Sequence, residues 1–280
     1  LGVFYLMFEN DVAGRGAVFF IFTAVMNLFA VAVFWSFMSD IYHPDQSRLF
    51  YGFIGVGGTL GALAGPAVTR LLVEDIGVDA VKIGMLHSPE VVQVVADAIR
   101  RYQLPNVVLD PVMVATSGDR LIATETVDVL VRELFPLAQV VTPNLDEAAL
   151  LLGRPIAGID DLDAAARALR ALGAPAALLK GGHLPGDEVV DLLALADGSL
   201  AHLRSPRIAT TNGHGTGCTL SSAIAAHLAL GHALPSAVAQ ARSYILGAIQ
   251  AGAAVRTGQG HGPLNHGYAP VAQVVLPMFK

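Results

Sequence analysis

Two hydrophobic patterns divide the chain. Residues 16–39 and 49–69 contain no charged side chain, and each run reaches the roughly 20 residues that a helix needs to cross the hydrocarbon core of a bilayer. From Asp79 onward the pattern changes: short apolar runs alternate with longer stretches whose apolar positions recur every three or four residues, punctuated by Gly, Pro and Asn. The first pattern predicts two membrane-spanning helices. The second predicts strands near 79–84, 106–110, 139–142, 176–180, 188–196 and 200–205. Helices are predicted from Ser88, through Thr126 to Leu134, and over 144–152, 160–172, 215–230 and 235–254. Ser88 is a natural N-cap with Pro89 at the first helical position, and Val91, Val92, Val95 and Ile99 share one face. Strands alternating with helices imply a largely parallel sheet covered on both faces. Residues 258–267, with His261 and His266, read as a solvated loop.

In the first region Gly57, Gly61 and Gly65 line one helix face and permit close helix approach. A pair of buried helices in a soluble core is the competing reading. Length and the concentration of 10 of the 12 Phe before residue 73 favour membrane spans. No basic segment precedes the first run, so a cleaved signal peptide is not expected. The stretch Phe34-Trp-Ser-Phe-Met-Ser-Asp40, with Arg48 and the Gly-rich second run, resembles a piece of a major-facilitator-type transporter. Two spans cannot form the transport path that such proteins build from many helices. The boundary implied is 1–72 for a membrane segment and 73–280 for a folded domain.

Composition locates the excess apolarity and narrows the chemistry. The 280 residues are 54% hydrophobic and 14% charged with a formal net charge of −6, and the mean hydropathy is +0.57. An acidic balance without a basic stripe argues against nucleic acid as a partner. The single cysteine excludes an intramolecular disulfide framework and a Cys-rich zinc site.

In a parallel sheet, ligands bind beyond the carboxyl ends of the strands. Met85, Asp110, Thr142, Asn144 and Lys180 fall there. The sharpest local signal is Asn212-Gly-His-Gly-Thr-Gly-Cys218, a Gly-rich turn running into a helix. Amides at a helix start lack intrahelical partners and the dipole adds partial positive charge, so Gly215, Thr216 and Gly217 form a candidate phosphate cradle; a ligand-free Gly-rich cap competes. The head of a helix favours the thiolate form of a cysteine, which makes Cys218 a candidate reactive group rather than a small buried apolar residue.

Five ordered segments carry a resemblance. Asp-Ala-Val-Lys-Ile-Gly-Met-Leu at 79–86, Leu-Asp-Pro-Val-Met-Val-Ala at 109–115 with Ser117-Gly-Asp119, Val-Thr-Pro-Asn-Leu at 141–145, Leu-Lys-Gly-Gly-His at 179–183 and His-Gly-Thr-Gly-Cys-Thr-Leu-Ser-Ser-Ala at 214–223 resemble the hydroxymethylpyrimidine/phosphomethylpyrimidine kinases of the ribokinase-like superfamily. The resemblance runs from about Asp75 onward. It implies an α/β three-layer sandwich lacking its N-terminal third and preceded by the two transmembrane helices. It implies ATP-dependent phosphorylation of hydroxymethylpyrimidine and its monophosphate in thiamine biosynthesis, with ATP and Mg²⁺ as cofactors. By the same resemblance, residues 215–218 match an anion hole and Cys218 stands where related enzymes carry an aspartate base. Lys180 faces the ATP phosphates. Asp110 places Mg²⁺ or phosphate. Thr142, Asn144 and Glu147 bind nucleotide phosphate, and Glu147 binds magnesium through water. Met85 and Val112 line the pyrimidine pocket, and His214 shapes the loop beside it.

Simpler roles compete at several of these positions: N-capping for Asn144 and Glu147, a snorkelling strand-end lysine for Lys180, and core packing for Met85 and Val112. Gly213 stands where the family has Thr. The family's opening strand, its Gly/Ser-rich turn and its Gln-bearing segment have no counterpart before Asp75, so the phosphate half of a site is expected without a complete pyrimidine half. A homodimer and a cytoplasmic kinase part, membrane-tethered through residues 16–69, complete the expectation. The alternatives are a pyridoxal or pyridoxine kinase, and a transporter fragment carrying an inactive kinase remnant.

Overall fold

The structure, a computed structural model, describes residues 77–114, 121–256 and 262–270. The chain divides between Asp75 and Ile76 into two units, and all the described residues lie in the second. The expected spans at 16–39 and 49–69, the transporter-like stretch, and Ser117, Gly118 and Asp119 fall outside the described residues. Among those described, no helix is long and apolar enough to cross a membrane.

Strand β1 (Val81–Ile83) leads into helix α1 (Pro89–Tyr102), followed by β2 (Val107–Leu109), α2 (Thr124–Leu134), β3 (Val140–Val141), α3 (Leu145–Leu152) and α4 (Leu162–Ala171). Then come β4 (Ala177–Leu179), β5 (Glu188–Ala194), β6 (Leu200–Pro206), α5 (Thr216–Ala229) and α6 (Leu234–Gly252). Local chemistry sets the ends. Ser88 Oγ accepts from the Val91 amide at 3.4 Å and Pro89 opens α1, while Gln103, at φ 49°, returns its amide to the Ile99 carbonyl and stops the helix.

The sheet order is β1-β2-β3-β4-β5-β6. β1 to β4 run parallel, with Ile83 opposite Leu109 and Leu109 opposite Val141. The sheet is parallel over β1–β4, as expected, while β5 runs antiparallel to both β4 and β6 and makes that edge mixed. The cause is connection length. A parallel return needs a crossover of a dozen or more residues, whereas Leu195 to Ser199 holds only an Asp197-Gly198 turn. Gly198 sits there at φ 84°, and Asp197 Oδ1 accepts from both the amide and the hydroxyl of Ser199.

Alternation along the strands builds a core on each face. Val107 and Leu109 pack with Val92, Ile99, Leu130, Leu134 and Leu169 of α1, α2 and α4. Val108, Val140 and Leu178 pack with α5 and α6 through Leu220, Ile224, Val238 and Ile245. The described residues therefore form three layers, α1–α4, sheet, and α5–α6. The segment 262–270 is a loop exposed at 263, 265–267 and 269–270, as expected, but it is pinned to the domain. Leu264 is buried in the second core, the Gly262 amide donates to Asn212 Oδ1 at 3.0 Å, and Tyr244 Oη donates to the His266 carbonyl at 3.0 Å. Asn212, whose Nδ2 also donates to the Gly252 carbonyl at 2.8 Å, staples this segment to the end of α6. His261 lies outside the described residues.

Candidate active site

Asp110 follows β2 and is 1% exposed. A carboxylate so deep is costly unless charge and hydrogen bonds meet it, and both do. Lys180 Nζ donates to Oδ1 at 2.7 Å, Thr142 Oγ1 donates to the same oxygen at 3.1 Å, and Ser221 Oγ lies 3.1 Å from Oδ2. Lys82 Nζ stands 3.7 Å from Oδ2. Burial by itself would raise the Asp110 pKa. The Lys180 charge and hydrogen bond, then Lys82 and Thr142, outweigh it and hold the carboxyl below its ordinary range.

Lys180 is fixed by the end of β4. Its amide donates to the Pro143 carbonyl at 2.9 Å, and it forms an isolated bridge with Asn144. The next residue, Gly181, has no room for a side chain, because a Cβ there would overlap the Val190 carbonyl. Its amide donates to Asp191 Oδ1 at 2.8 Å, and Asp191 Oδ2 accepts from Arg242 Nε at 2.7 Å. Arg242 Nη2 also reaches Ser205 Oγ at 3.2 Å. A second buried ion pair thus holds the turn that presents Lys180.

Asn144 and Glu147 do form a capping box. Asn144 Oδ1 accepts from the Glu147 amide at 2.9 Å, and Glu147 Oε2 accepts from the Asn144 amide at 2.7 Å. Glu147 is also buried, at 2% exposed. That burial, joined by the Asp110 charge and opposed by Lys180, raises its pKa. Two carboxyls in one site are thereby pushed in opposite directions, Asp110 toward the ionised form and Glu147 toward the protonated one.

The Gly-rich turn meets this cluster from the other side. Gly215 caps α5 at φ 84°, a conformation that glycine adopts freely. Thr216 is spent on the turn itself: its amide and its hydroxyl both reach the Gly213 carbonyl, at 3.3 and 2.7 Å. The Thr219 amide closes the first helical bond to Gly215 at 2.9 Å, which leaves the amides of Gly217 and Cys218 without a partner among the described residues. A Cβ on Gly217 would lie 3.1 Å from Lys180 Nζ, so the bare start of α5 and the Lys180 ammonium adjoin. Cys218 is exposed with a free thiol, not a core residue. It borders a groove of about 540 Å³ lined by Thr219, Ser222, His227, Tyr244 and His266.

The residues expected at the pyrimidine side are more scattered. Met85 is half exposed beyond β1. Val112 is half-buried and donates its amide to the Asp110 carbonyl at 2.8 Å. His214 is exposed and bridges to Pro263. Sequence reasoning missed Lys82, Ser221 and the Asp191–Arg242 pair. The signals were present: Lys82 alternates with apolar Ile83 in a strand, and Ser221 lies one helical turn after Gly217.

The phosphomethylpyrimidine kinase family model matches residues 66–265. A hydroxymethylpyrimidine/phosphomethylpyrimidine kinase of Rhizobium meliloti is 52% identical over 194 residues, which cover 69% of this chain and 72% of that one. Among solved structures, an ADP complex of Bacillus subtilis pyridoxal kinase is similar at TM-score 0.65 and 37% identity, covering 71% of this chain and 75% of that one. A phosphomethylpyrimidine kinase of Clostridium difficile is similar at TM-score 0.56 and 37% identity, covering 64% and 73%.

Proposed function

We propose, from the premise that this chain belongs to the phosphomethylpyrimidine kinase family, that it transfers the γ-phosphoryl group of ATP to hydroxymethylpyrimidine and to its monophosphate, a step of thiamine biosynthesis. The observation that carries this reading is the Lys180 ammonium, 2.7 Å from Asp110 and against the bare start of α5. Phosphoryl transfer asks for little covalent chemistry from a protein; it asks for fixed positive charge around the oxygens of the moving group.

In this reading Asp110 holds Lys180 extended, and Lys180 neutralises the terminal phosphates. The Gly217 and Cys218 amides receive an equatorial oxygen where charge accumulates. Cys218 Sγ, acting as the thiolate and ending as the thiol, accepts the proton of the acceptor, the hydroxymethyl O–H or the protonated phosphate oxygen, while that oxygen bonds to phosphorus and the bond to the ADP oxygen breaks. Glu147 and Asp110 fit Mg²⁺ in number, since the ion needs one or two carboxylates when water and phosphate complete its shell. Asp110 is engaged on both oxygens, so Glu147 is the residue that would hold the ion. When bound, Mg²⁺ supplies neutralising charge to the phosphates.

The test is ADP release by the full chain with hydroxymethylpyrimidine, its monophosphate and pyridoxal as acceptors, repeated with Cys218→Ala. The expected result is turnover of both pyrimidines above pyridoxal, and loss of most of it in Cys218→Ala. Equal rates in the variant would remove Cys218 from the mechanism. The structural likeness to Bacillus subtilis pyridoxal kinase supports pyridoxal as the second reading, and a higher kcat/KM for pyridoxal would establish it.

A further inference from the structure

Asp110 has two cationic neighbours, and only one of them is hydrogen-bonded to it. One carboxylate faces two ammoniums, Lys180 Nζ at 2.7 Å from Oδ1 and Lys82 Nζ at 3.7 Å from Oδ2. Lys180 is a full hydrogen-bond partner. Lys82 is not, because 3.7 Å lies beyond hydrogen-bond reach and Oδ2 already has Ser221 Oγ at 3.1 Å. No hydrogen bond from the Lys82 ammonium is found among the described residues, although its side chain is only 21% exposed. The Lys82 ammonium is not sealed from solvent, so its N–H donors are open to water or to an acceptor on a ligand.

The surroundings are built for the ammonium. Lys82 lies on the sheet face opposite Ile83, the face covered by α5, whose Ser221 shares Asp110 with it. It rests against Gly84, where a Cβ would stand 3.1 Å from Nζ, as Lys180 rests against Gly217 at the same distance. Two glycines thus make room for two ammoniums on either side of one carboxylate.

We propose that Lys82 is a second phosphate-binding residue of this centre, its spare ammonium taking a phosphate oxygen of a bound substrate. The inference rests on the functional reading above for the ligand class. Two sources carry such oxygens, the terminal phosphates of the nucleotide and the monophosphate acceptor. Lys180 is held by Asp110; Lys82 is free to follow the ligand.

The test uses the full chain and the variants Lys82→Gln and Lys82→Arg, titrated calorimetrically with inorganic pyrophosphate, with the ATP analogue AMP-PCP and with hydroxymethylpyrimidine monophosphate at two salt concentrations. Lys82→Gln should weaken pyrophosphate binding about tenfold, the effect of losing one charge-assisted contact, and should flatten its salt dependence. Lys82→Arg should restore most of the loss. Selective weakening of AMP-PCP assigns the contact to the nucleotide, and selective weakening of the monophosphate assigns it to the acceptor. Unchanged affinity for all three probes in Lys82→Gln overturns the proposal, as does an equal loss in both variants with a lowered melting temperature. Failure of the wild-type chain to phosphorylate a pyrimidine would overturn the functional reading alone, since the pyrophosphate titration requires no turnover.

Discussion

Two aspartates are buried in one sheet, and their surroundings differ in one respect. Asp191, on antiparallel β5, has a single cation: Arg242 Nε is 2.7 Å away, and the other carboxylate oxygen takes the Gly181 amide. Charge and hydrogen bonds are matched. Asp110, after parallel β2, faces Lys180 and Lys82 together, beside helix amides that lack partners among the described residues. Of its two ammoniums only Lys180 is hydrogen-bonded to the carboxylate. A balanced buried pair holds a fold together, whereas an ammonium left without a hydrogen bond to the carboxylate is open to a ligand that is not part of the chain. The two regions are joined by two consecutive residues, since Asp191 holds Gly181 and Asp110 holds Lys180.

The comparison is broken most forcefully at the balanced pair. Arg242→Met leaves Asp191 buried and unpaired and should cost about 3–5 kcal/mol, read as a shift of the urea midpoint. Adding Asp191→Leu should recover much of that, short of the roughly 1–3 kcal/mol for an orphaned Gly181 amide. A double variant no more stable than Arg242→Met would show that the pair is not the cause.

Two alanine insertions sharpen the contrast with a smaller effect. Gly181→Ala drives a Cβ into the Val190 carbonyl, rigid backbone, and should cost about 1–3 kcal/mol. Gly217→Ala meets only the flexible end of Lys180 at 3.1 Å. It should leave the melting temperature nearly unchanged and raise the KM for ATP. Equal destabilisation by both would deny the difference between the two regions.

The smallest effect is in pH dependence, and the two carboxyls oppose each other. The Asp110 pKa lies below its ordinary 3.8 in the folded protein, so its stabilising contribution is complete above 3.8 and is lost as pH falls through the folded value. The Glu147 pKa lies above its ordinary 4.5, so its contribution is complete below 4.5 and is lost as pH rises through the folded value. Urea midpoints measured across pH should show Asp110→Asn flattening the acid side and Glu147→Gln flattening the side above 4.5. Identical profiles for both variants would remove the opposition.

Much of this was legible in the sequence. The predicted strand at 106–110 became Val107–Leu109, and the Ser88 cap, Pro89 start and Asn144 cap all stand as the side-chain chemistry required. Asp110 and Lys180 were placed at strand ends on the ligand-binding edge, and their direct contact at 2.7 Å is a finding of the structure. Strand direction was less accessible, because an apolar run does not state which way its neighbour points; the Asp197-Gly198 turn did, and it was passed over. Lys82 was hidden by its place in a motif whose apolar members drew attention. Ser221 meets Asp110, and Asp191 meets Arg242, across 111 and 51 residues of chain, a juxtaposition that no local pattern encodes. The loop at 262–270 and the exposure of His266 were legible from its Gly and His content, but its anchoring was not, since Asn212 needs Gly262 bare to reach it.

The central claim is that the Asp110–Lys180 corner neutralises a phosphoryl group in transfer. The steady-state rate of ATP-dependent phosphorylation of hydroxymethylpyrimidine by Lys180→Gln tests it most directly. The account predicts a kcat lower by about 10²–10³-fold, as when one preorganised donor to developing charge is lost, with the KM for the pyrimidine within about threefold of wild type. A variant that turns over as fast as the wild-type chain would contradict it.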